Sequence, residues 1–122
     1  RSTLFPYTTL FRSLGLQSQM VVRGIPFDVV VFTIMMDGLF KSGRPDEAEM
    51  MFKSLLASGL VPNCFTYSAL IDGRCKLGDL DNAKSTFQEM EGKNVSPNVI
   101  TYTALINGFL KFGKHEAVLE IL

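Results

Sequence analysis

The chain has 122 residues, of which 47% are hydrophobic and 20% are charged, as is typical of a folded chain and not of a disordered one. Its formal net charge is zero, which excludes bulk electrostatic attraction as the reason for binding a nucleic acid. A nucleic-acid partner has to be met by locally placed cations. No apolar run approaches the roughly 20 residues that would span a bilayer.

Residues 1–13 read RSTLFPYTTLFRS, which is basic, rich in hydroxyls and free of acidic residues, as an organelle-targeting leader would be. The stretch also contains Pro6 and few helix-forming residues. The stretch resembles the direct translation of a common short-read sequencing adapter, whose 13 codons match Arg1 to Ser13. We therefore expect a disordered, non-native segment that is fused to a truncated protein.

The remaining chain repeats itself at a spacing of 35 residues without gaps, in segments that begin at Val29, Cys64 and Val99. Such a period indicates a stacked-repeat architecture. We assign repeats to residues 29–63 and 64–98, a partial repeat to 99–122, and the second helix and tail of a truncated repeat to 14–28. The recurring residues are Gly38, Gly73 and Gly108; Gly43, Gly78 and Gly113; Lys41, Lys76 and Lys111; and Phe32, Tyr67 and Tyr102.

Each unit is predicted to form two helices joined by a glycine-containing turn. Apolar residues at positions i, i+3, i+4 and i+7 give one buried stripe per helix. In the second unit Arg74 interrupts the stripe of the first helix. Asp46 followed by Glu49 is typical of a capping box that starts a second helix. The stripes of the first unit are Phe32, Met35, Met36 and Leu39, and then Ala48, Met51, Phe52 and Leu55.

One helix pair cannot bury both of its stripes alone, so neighbouring pairs have to stack. The predicted fold is therefore all-α, a right-handed α-solenoid of antiparallel helix-turn-helix repeats. A glycine in the middle of a helix costs about 1 kcal/mol relative to alanine. Its recurrence at Gly38, Gly73 and Gly108 predicts a close approach between helices there.

The segments FTYSALIDGRCKLGDLDNA and VITYTALINGFLKFGK, with the unit ends VPN and SPN, resemble pentatricopeptide repeats of the P type. The resemblance covers essentially all of residues 14–122. The tetratricopeptide alternative has a period of 34 residues and a tryptophan signature, whereas this chain has no tryptophan. The resemblance implies a plant organelle protein that reads single-stranded RNA, one base per unit.

The resemblance also implies roles for residues at fixed positions of each unit. The fifth and last residues would read the base: Thr33 with Asn63, Ser68 with Asn98, and Thr103, whose partner lies beyond the chain, with Asp28 closing the truncated unit. The second residues, Val30, Phe65 and Ile100, would be sandwiched between bases. Lys41, Lys76 and Lys111 would meet phosphates. The implied readout from 5′ to 3′ is adenine, adenine and a purine, while Asp28 would favour uracil or guanine.

A purely structural interpretation of these residues stands beside the functional one. Thr33, Ser68 and Thr103 lie near helix starts, where a hydroxyl is a good N-cap. Asn63 and Asn98 follow proline-containing turns, where Asn is an ordinary turn residue. The lysines fit a solvated face equally well. A protein-interaction scaffold is therefore the alternative to RNA binding.

No catalytic, metal or cofactor motif is present in the sequence. His115 is the only histidine and is expected in an exposed turn between helices. Cys64 and Cys75 do not have the spacing of a disulfide framework or a metal site, and they weakly indicate a reducing compartment. We expect no enzyme activity, no cofactor and no membrane or small-molecule partner. The resemblance alone implies the location, a mitochondrion or alternatively a chloroplast.

Overall fold

The computed structural model of the protein describes residues 28–121, so the expectations for residues 1–27 lie outside the described range. The described range divides between Pro62 and Asn63 into two compact units, with α1 and α2 in the first and α3 to α6 in the second. Within it, the helices are α1 (Val29–Lys41), α2 (Pro45–Ala57), α3 (Cys64–Lys76), α4 (Leu80–Gly92), α5 (Val99–Lys111) and α6 (His115–Ile121).

The six helices form three hairpins, α1 with α2, α3 with α4 and α5 with α6. The turns at residues 42–44, 77–79 and 112–114 have three residues each, and connections this short join antiparallel neighbouring helices. Among residues 28–121 the structure contains helices and turns and no strand. The prediction of an all-α fold built from helical hairpins is confirmed.

The first unit buries the apolar stripes that the sequence predicts. On α1, Phe32, Met36 and Leu39 are buried, and Met35 is half-buried. All four predicted residues of α2 are buried, and so are their counterparts on α4: Ala48, Met51, Phe52 and Leu55, and Ala83, Thr86, Phe87 and Met90. Burying one such side chain contributes about 1.5–3 kcal/mol, which makes these stripes the main source of hairpin stability.

In the second unit α3 packs against α4, its hairpin partner, and against α5, the first helix of the next hairpin. The rings of Phe87 on α4 and Tyr102 on α5 meet edge to face, with centroids 5.5 Å apart. Arg74, which interrupts the apolar stripe of α3, donates a hydrogen bond to Thr86 Oγ1 on α4. The guanidinium therefore has a polar partner at the edge of the core.

Polar contacts between the helices of the second hairpin also involve Tyr67, which is buried on α3. Burial first, and then the charge and hydrogen bond of Glu89, raise the pKa of the Tyr67 hydroxyl. In the first unit the matching positions hold Phe32 and Ser54. The hydroxyl of Ser54 is buried without a hydrogen-bond partner in the described structure, so this repeat lacks the polar link of the second.

Gly108 allows the close approach of α3 and α5. A Cβ at Gly108 would lie 2.4 Å from the Cβ and 2.6 Å from the Sγ of Cys75. The equivalent Gly38 on α1 has no described atom within 4 Å of such a Cβ. The predicted close approach is therefore confirmed at Gly108, whereas at Gly38 the described residues leave open space.

The hairpin turns depend on a glycine in the left-handed region of the backbone. Gly43, Gly78 and Gly113 have φ of 78°, 83° and 73°. At Gly78 a side chain would also meet the ring of Phe112 at 3.3 Å. Glycine is the residue that adopts this conformation without a steric cost, which explains why it recurs in each hairpin.

The predicted capping box at the start of the second helix is wrong. Helix α2 begins at Pro45, so Arg44 occupies the N-cap position and Asp46 lies inside the first turn. Arg44 instead forms a two-pronged ion pair with Glu47, with Nε–Oε1 and Nη2–Oε2 distances of 2.5 and 2.6 Å. Proline at the first helical position needs no N–H partner, and for this reason the helix starts two residues earlier than the Asp46 pattern indicates.

Cys75 is a thiol that the fold protects from reaction. Burial, and secondarily the charge of Asp72, raise its pKa to about 11. Since the thiolate is the reactive form, we expect Cys75 to be inert towards a disulfide reagent at pH 8 while the chain is folded. The folded state holds this proton more tightly than the unfolded chain, so the stability it contributes below about pH 9 is lost as the pH rises towards 11.

A Cys64→Ser variant isolates this thiol, because the chain has two cysteines. Its labelling at pH 8 is expected to be slow and to become fast in denaturant. The matched Cys75→Ser variant keeps the half-buried Cys64 and should label faster when folded. Rapid labelling of folded Cys64→Ser would contradict the protected position of Cys75.

Candidate functional site

The first helices of the three repeats begin with side-chain caps. Asp28 caps α1 by accepting a hydrogen bond from the backbone N–H of Val31 at 3.1 Å. Asn63 and Asn98 cap α3 and α5 with full capping boxes, in which Thr66 and Thr101 return a hydroxyl to the cap residue's N–H. The three predicted last residues of the units therefore hold the same structural position.

This finding corrects the structural interpretation of the hydroxyl residues. Thr33, Ser68 and Thr103 lie inside the helices and are not N-caps, because Asp28, Asn63 and Asn98 occupy that position. The two asparagines are likewise helix caps and not merely turn residues. Each asparagine caps its helix through the side-chain oxygen, so this oxygen already accepts a hydrogen bond before the amide contacts anything else.

In the second unit Ser68 and Asn98 are joined through a third side chain, Thr101. The Thr101 hydroxyl donates to Asn98 Oδ1 at 3.2 Å, and Ser68 Oγ lies 2.7 Å from Thr101 Oγ1. Ser68 is only 3% exposed, whereas Asn98 is half-buried. The structure thus brings this predicted pair together, and it places the asparagine closer to solvent than the serine.

The other predicted base-reading residues are more accessible. Thr33 is half-buried, and Thr103, Asp28 and Asn63 are exposed. Although Thr33 and Asn63 belong to the same sequence repeat, Thr33 lies in the first compact unit and Asn63 in the second. Each is therefore described within its own compact unit. Ser68 and Asn98 are therefore the pair whose geometry the structure defines.

The second residues of the three first helices are exposed apolar side chains. Val30, Phe65 and Ile100 are 57%, 58% and 51% exposed, although they stand next to helix residues that form the core. Because about half of each side chain is in solvent, its apolar character contributes little to the stability of the hairpin. An apolar side chain that recurs in one exposed register is available for contact with a flat partner such as an aromatic ring.

The three recurring lysines end the first helices, and they differ in their neighbours. Lys41 pairs with Asp37 at 2.8 Å and Lys76 with Asp72 at 3.0 Å, each one helical turn back. The equivalent position before Lys111 holds Asn107, and the Lys111 ammonium lies 6.0 Å from the Phe112 ring. A phosphate would have to compete with a carboxylate at the first two lysines, but not with an intrahelical one at Lys111.

Lys76 and Lys111 border one depression between α3 and α5, with a volume of about 240 Å³. Asp72 and Asn107 also line it, and Gly108 lies within it. Its polar rim carries two cations and one anion. The close contact of α3 and α5 at Gly108 sets the distance between successive lysines on this face.

Thr101 and Thr66 are parts of the site that were not predicted from the sequence. Their signal is the spacing Asn-x-x-Thr directly before an apolar helix, found at Asn63 and Asn98. The first repeat has Val31 at this position and accordingly lacks the box. A capping box usually has glutamate or glutamine at the third helical position, whereas threonine holds that position in α3 and α5.

Comparison with known proteins identifies the repeat. The sequence model of the PPR repeat family matches residues 27–76 and 65–111, which together contain helices α1 to α5. The chain belongs to the pentatricopeptide repeat family. No curated protein sequence matches it significantly.

Solved structures of pentatricopeptide repeat proteins share this fold. The crystal structure of the pentatricopeptide repeat protein PPR10 from maize has 26% identity and a TM-score of 0.74, over 91% of this chain and 16% of that one. PPR10 in complex with an 18-nucleotide psaJ RNA element has 21% identity and a TM-score of 0.78, over 92% and 16%. The present pentatricopeptide repeat chain thus spans about a sixth of the length of these relatives.

Other kinds of site have little support in this pentatricopeptide repeat chain. His115 opens α6 instead of lying in the turn before it, and it is exposed as expected. Across residues 28–121, no three His, Cys, Asp or Glu side chains lie close enough to share a metal ion. Helices of the same range are all too short or too polar to cross a membrane.

Proposed function

We propose that the chain binds single-stranded RNA along its first helices, as a part of a protein that acts in organellar RNA processing, stability or translation. The observation that carries the proposal is the exposed apolar residue at the second position of α1, α3 and α5, beside a helix-capping Asp or Asn. Bases stack on such side chains, and polar groups next to them can read base edges. The resemblance to PPR10, solved with a psaJ RNA element, supports the same function.

The proposed readout is adenine, adenine and a purine, through Thr33 with Asn63, Ser68 with Asn98, and Thr103. Stacking contributes roughly 1–3 kcal/mol per base, so three bases supply about 6 kcal/mol in total. This corresponds to a dissociation constant of some tens of micromolar. Binding by this chain is weak enough to be measured by titration and strong enough to show changes in either direction. Family membership supports an organellar location, and the choice of a mitochondrion over a chloroplast stays a prediction.

Changing Asn98 to Asp tests the readout without removing the helix cap. An Asp carboxylate still accepts the Thr101 N–H, so α5 keeps its N-cap. It lacks the amide donor, however, and should select a base edge that donates. Guanine presents ring and amino N–H donors, so we expect preference at this position to move from adenine to guanine by about 1–3 kcal/mol.

The measurement is fluorescence anisotropy with uridine-flanked RNAs that carry adenine followed by each of the four bases. Asn94→Asp is the matched control, because it makes the same chemical change in the exposed loop between α4 and α5. An unchanged base preference in Asn98→Asp would contradict the proposed readout. Absence of RNA binding by the unaltered chain would favour the protein-scaffold alternative.

A further inference from the structure

The depression between α3 and α5 has an uneven charge along its polar rim. Lys76 and Asp72 stand on the α3 side, and Lys111 and Asn107 hold the same two repeat positions on the α5 side. Lys76 Nζ lies 3.0 Å from Asp72 Oδ2, so the two charges on the α3 side cancel. On the α5 side Asn107 is neutral, and the Lys111 ammonium lies 6.0 Å from the centre of the Phe112 ring. The positive charge of the depression is therefore concentrated at Lys111.

The carboxylate of Asp72 is a fixed part of the depression. Its side chain is 34% exposed, whereas that of Lys76 is 60% exposed. Burial first, and then the charge of Asp72, raise the pKa of Cys75, which lines the same depression. An anion that approaches Lys76 from solvent therefore meets a negative charge behind the ammonium. The first unit has the same arrangement, in which Lys41 pairs with Asp37 at 2.8 Å.

We propose that Asp72 limits the contact of Lys76 with RNA phosphate, by holding the lysine in an internal ion pair, and that Lys111 is the stronger phosphate contact of the depression. The inference rests on the proposed RNA-binding function. It assigns an acidic residue that weakens RNA binding, next to the residues that are proposed to strengthen it. Successive repeats are then unequal in affinity for the RNA backbone, although each carries the lysine.

The reason is competition between two anions for one cation. An exposed ion pair of this kind corresponds to a factor of about two to five in an equilibrium constant. A phosphate at Lys76 displaces the Asp72 carboxylate and loses this factor, and the displaced carboxylate then repels the phosphate. A phosphate at Lys111 displaces no carboxylate of the same helix, because Asn107 stands one turn before it.

The first test is Asp72→Asn, which removes the carboxylate and keeps the shape of the side chain. We expect this variant to bind uridine-flanked RNA that carries adenines about two- to fivefold more tightly than the unaltered chain at low salt. The slope of log affinity against log salt concentration should steepen by up to about 0.7, the value for one further phosphate neutralised on a single strand. Fluorescence anisotropy over a series of salt concentrations measures both quantities.

The reciprocal change is Asn107→Asp, because it places a carboxylate one turn before Lys111. It should weaken RNA binding by a similar factor and make the salt dependence shallower. Replacing Lys111 with Gln should cost more affinity than replacing Lys76 with Gln. In a double variant Lys76→Gln should cancel the gain of Asp72→Asn, because no ammonium is then left for the phosphate.

A matched control separates the local effect from the change in net charge. Asp81→Asn removes the same charge from an exposed position on α4, outside the depression. Its gain in RNA affinity should be smaller than that of Asp72→Asn. Thermal melts of these variants should stay close to that of the unaltered chain. If Asp72→Asn does not fold, Asn107→Asp at its exposed position carries the same test with the opposite sign.

The outcomes distinguish this inference from the function on which it rests. A gain in Asp72→Asn no larger than that in Asp81→Asn would overturn the role of Asp72 while RNA binding stands. Weaker RNA binding by Asp72→Asn would also overturn it, because the carboxylate would then be orienting Lys76 towards the phosphate. Absence of RNA binding by the unaltered chain and by Asp72→Asn alike would instead refute the proposed function.

Discussion

Replacing Gly108 with alanine is expected to destabilise the second unit by about 1–3 kcal/mol or more, the range of over-packing in a well-packed core. The new Cβ would lie 2.4 Å from the Cβ of Cys75, a distance that neither helix can accommodate without moving. The nearest atom is the Cβ of Cys75, which a rotation of the side chain does not move, so the backbone of one helix has to shift. Urea unfolding followed by circular dichroism measures the change.

The chain offers a matched control at the same position of another repeat. Gly38 has no described atom within 4 Å of an added Cβ, so Gly38→Ala should stabilise α1 by up to about 1 kcal/mol through helix propensity. The two identical substitutions are thus expected to have opposite signs. Equal effects at Gly38 and Gly108 would contradict the close approach of α3 and α5.

A double variant tests whether the clash with Cys75 is the cause. Cys75→Gly removes the two nearest atoms that the alanine would meet, and the third, the Cys75 Cα, lies at 3.6 Å, which is an ordinary contact distance. Cys75→Gly alone is destabilising, because it removes a buried side chain and places glycine inside a helix. In a double-mutant cycle the two changes should therefore be less harmful together than the sum of their single effects.

The difference between Gly38 and Gly108 shows what a repeated sequence can and cannot predict. The period, the apolar stripes and the turn glycines all follow from local rules, and for that reason the hairpins could be predicted from sequence. Gly38 and Gly108 hold the same repeat position, however, and among the described residues only Gly108 has a neighbour packed against it. The space around a glycine is a property of the neighbouring helix, and nothing within one unit encodes it.

The same limit applies to the candidate site, which stays a prediction. Val30, Phe65 and Ile100 share the second position of their helices, and each of these apolar side chains is exposed. The burial of Ser68 could not be predicted, because it depends on Thr101 of the next repeat, 33 residues further along the chain. Contacts between repeats place polar atoms within hydrogen-bonding distance that the sequence separates.

The start of α2 was mispredicted because two neighbouring residues could begin the helix. Asp46 has the right residue type and spacing for a capping box, but Pro45 is better suited to the first helical position. Helix α4 also begins without a capping box. The side chain of its N-cap residue Asp79 does not bond to the backbone and instead accepts a hydrogen bond from the Asn82 amide at 2.7 Å. Capping patterns predict a helix start well only where no other residue competes for it.

Replacing Phe65 with alanine is expected to weaken RNA binding by about 1–3 kcal/mol, or roughly 5- to 150-fold, with little change in stability. Phe65 is 58% exposed, so its ring contributes little to the core of α3 and α4. Its role in the proposed complex is to stack between successive bases, and alanine removes the whole stacking surface. Phe65→Tyr keeps the ring and should retain most of the affinity.

Leu77→Ala is the matched control for this experiment. Leu77 is also a large apolar residue, 57% exposed, but it follows the last residue of α3, at the opposite end from Phe65. Thermal melts of both variants should stay close to that of the unaltered chain, since exposed substitutions usually change stability by less than about 0.5 kcal/mol. Anisotropy titrations with adenine-containing RNA should then show a loss for Phe65→Ala and none for Leu77→Ala.

The comparison also decides between the two candidate functions. If these exposed apolar side chains served a protein partner, Phe65→Ala would leave RNA affinity unchanged, because weak RNA binding would then arise from charge alone. Such binding would depend on Lys76 and Lys111 and would fall steeply with salt, whereas stacking on Phe65 is less sensitive to salt. A salt-independent component of the affinity that disappears in Phe65→Ala is therefore the specific signature of base stacking on Phe65.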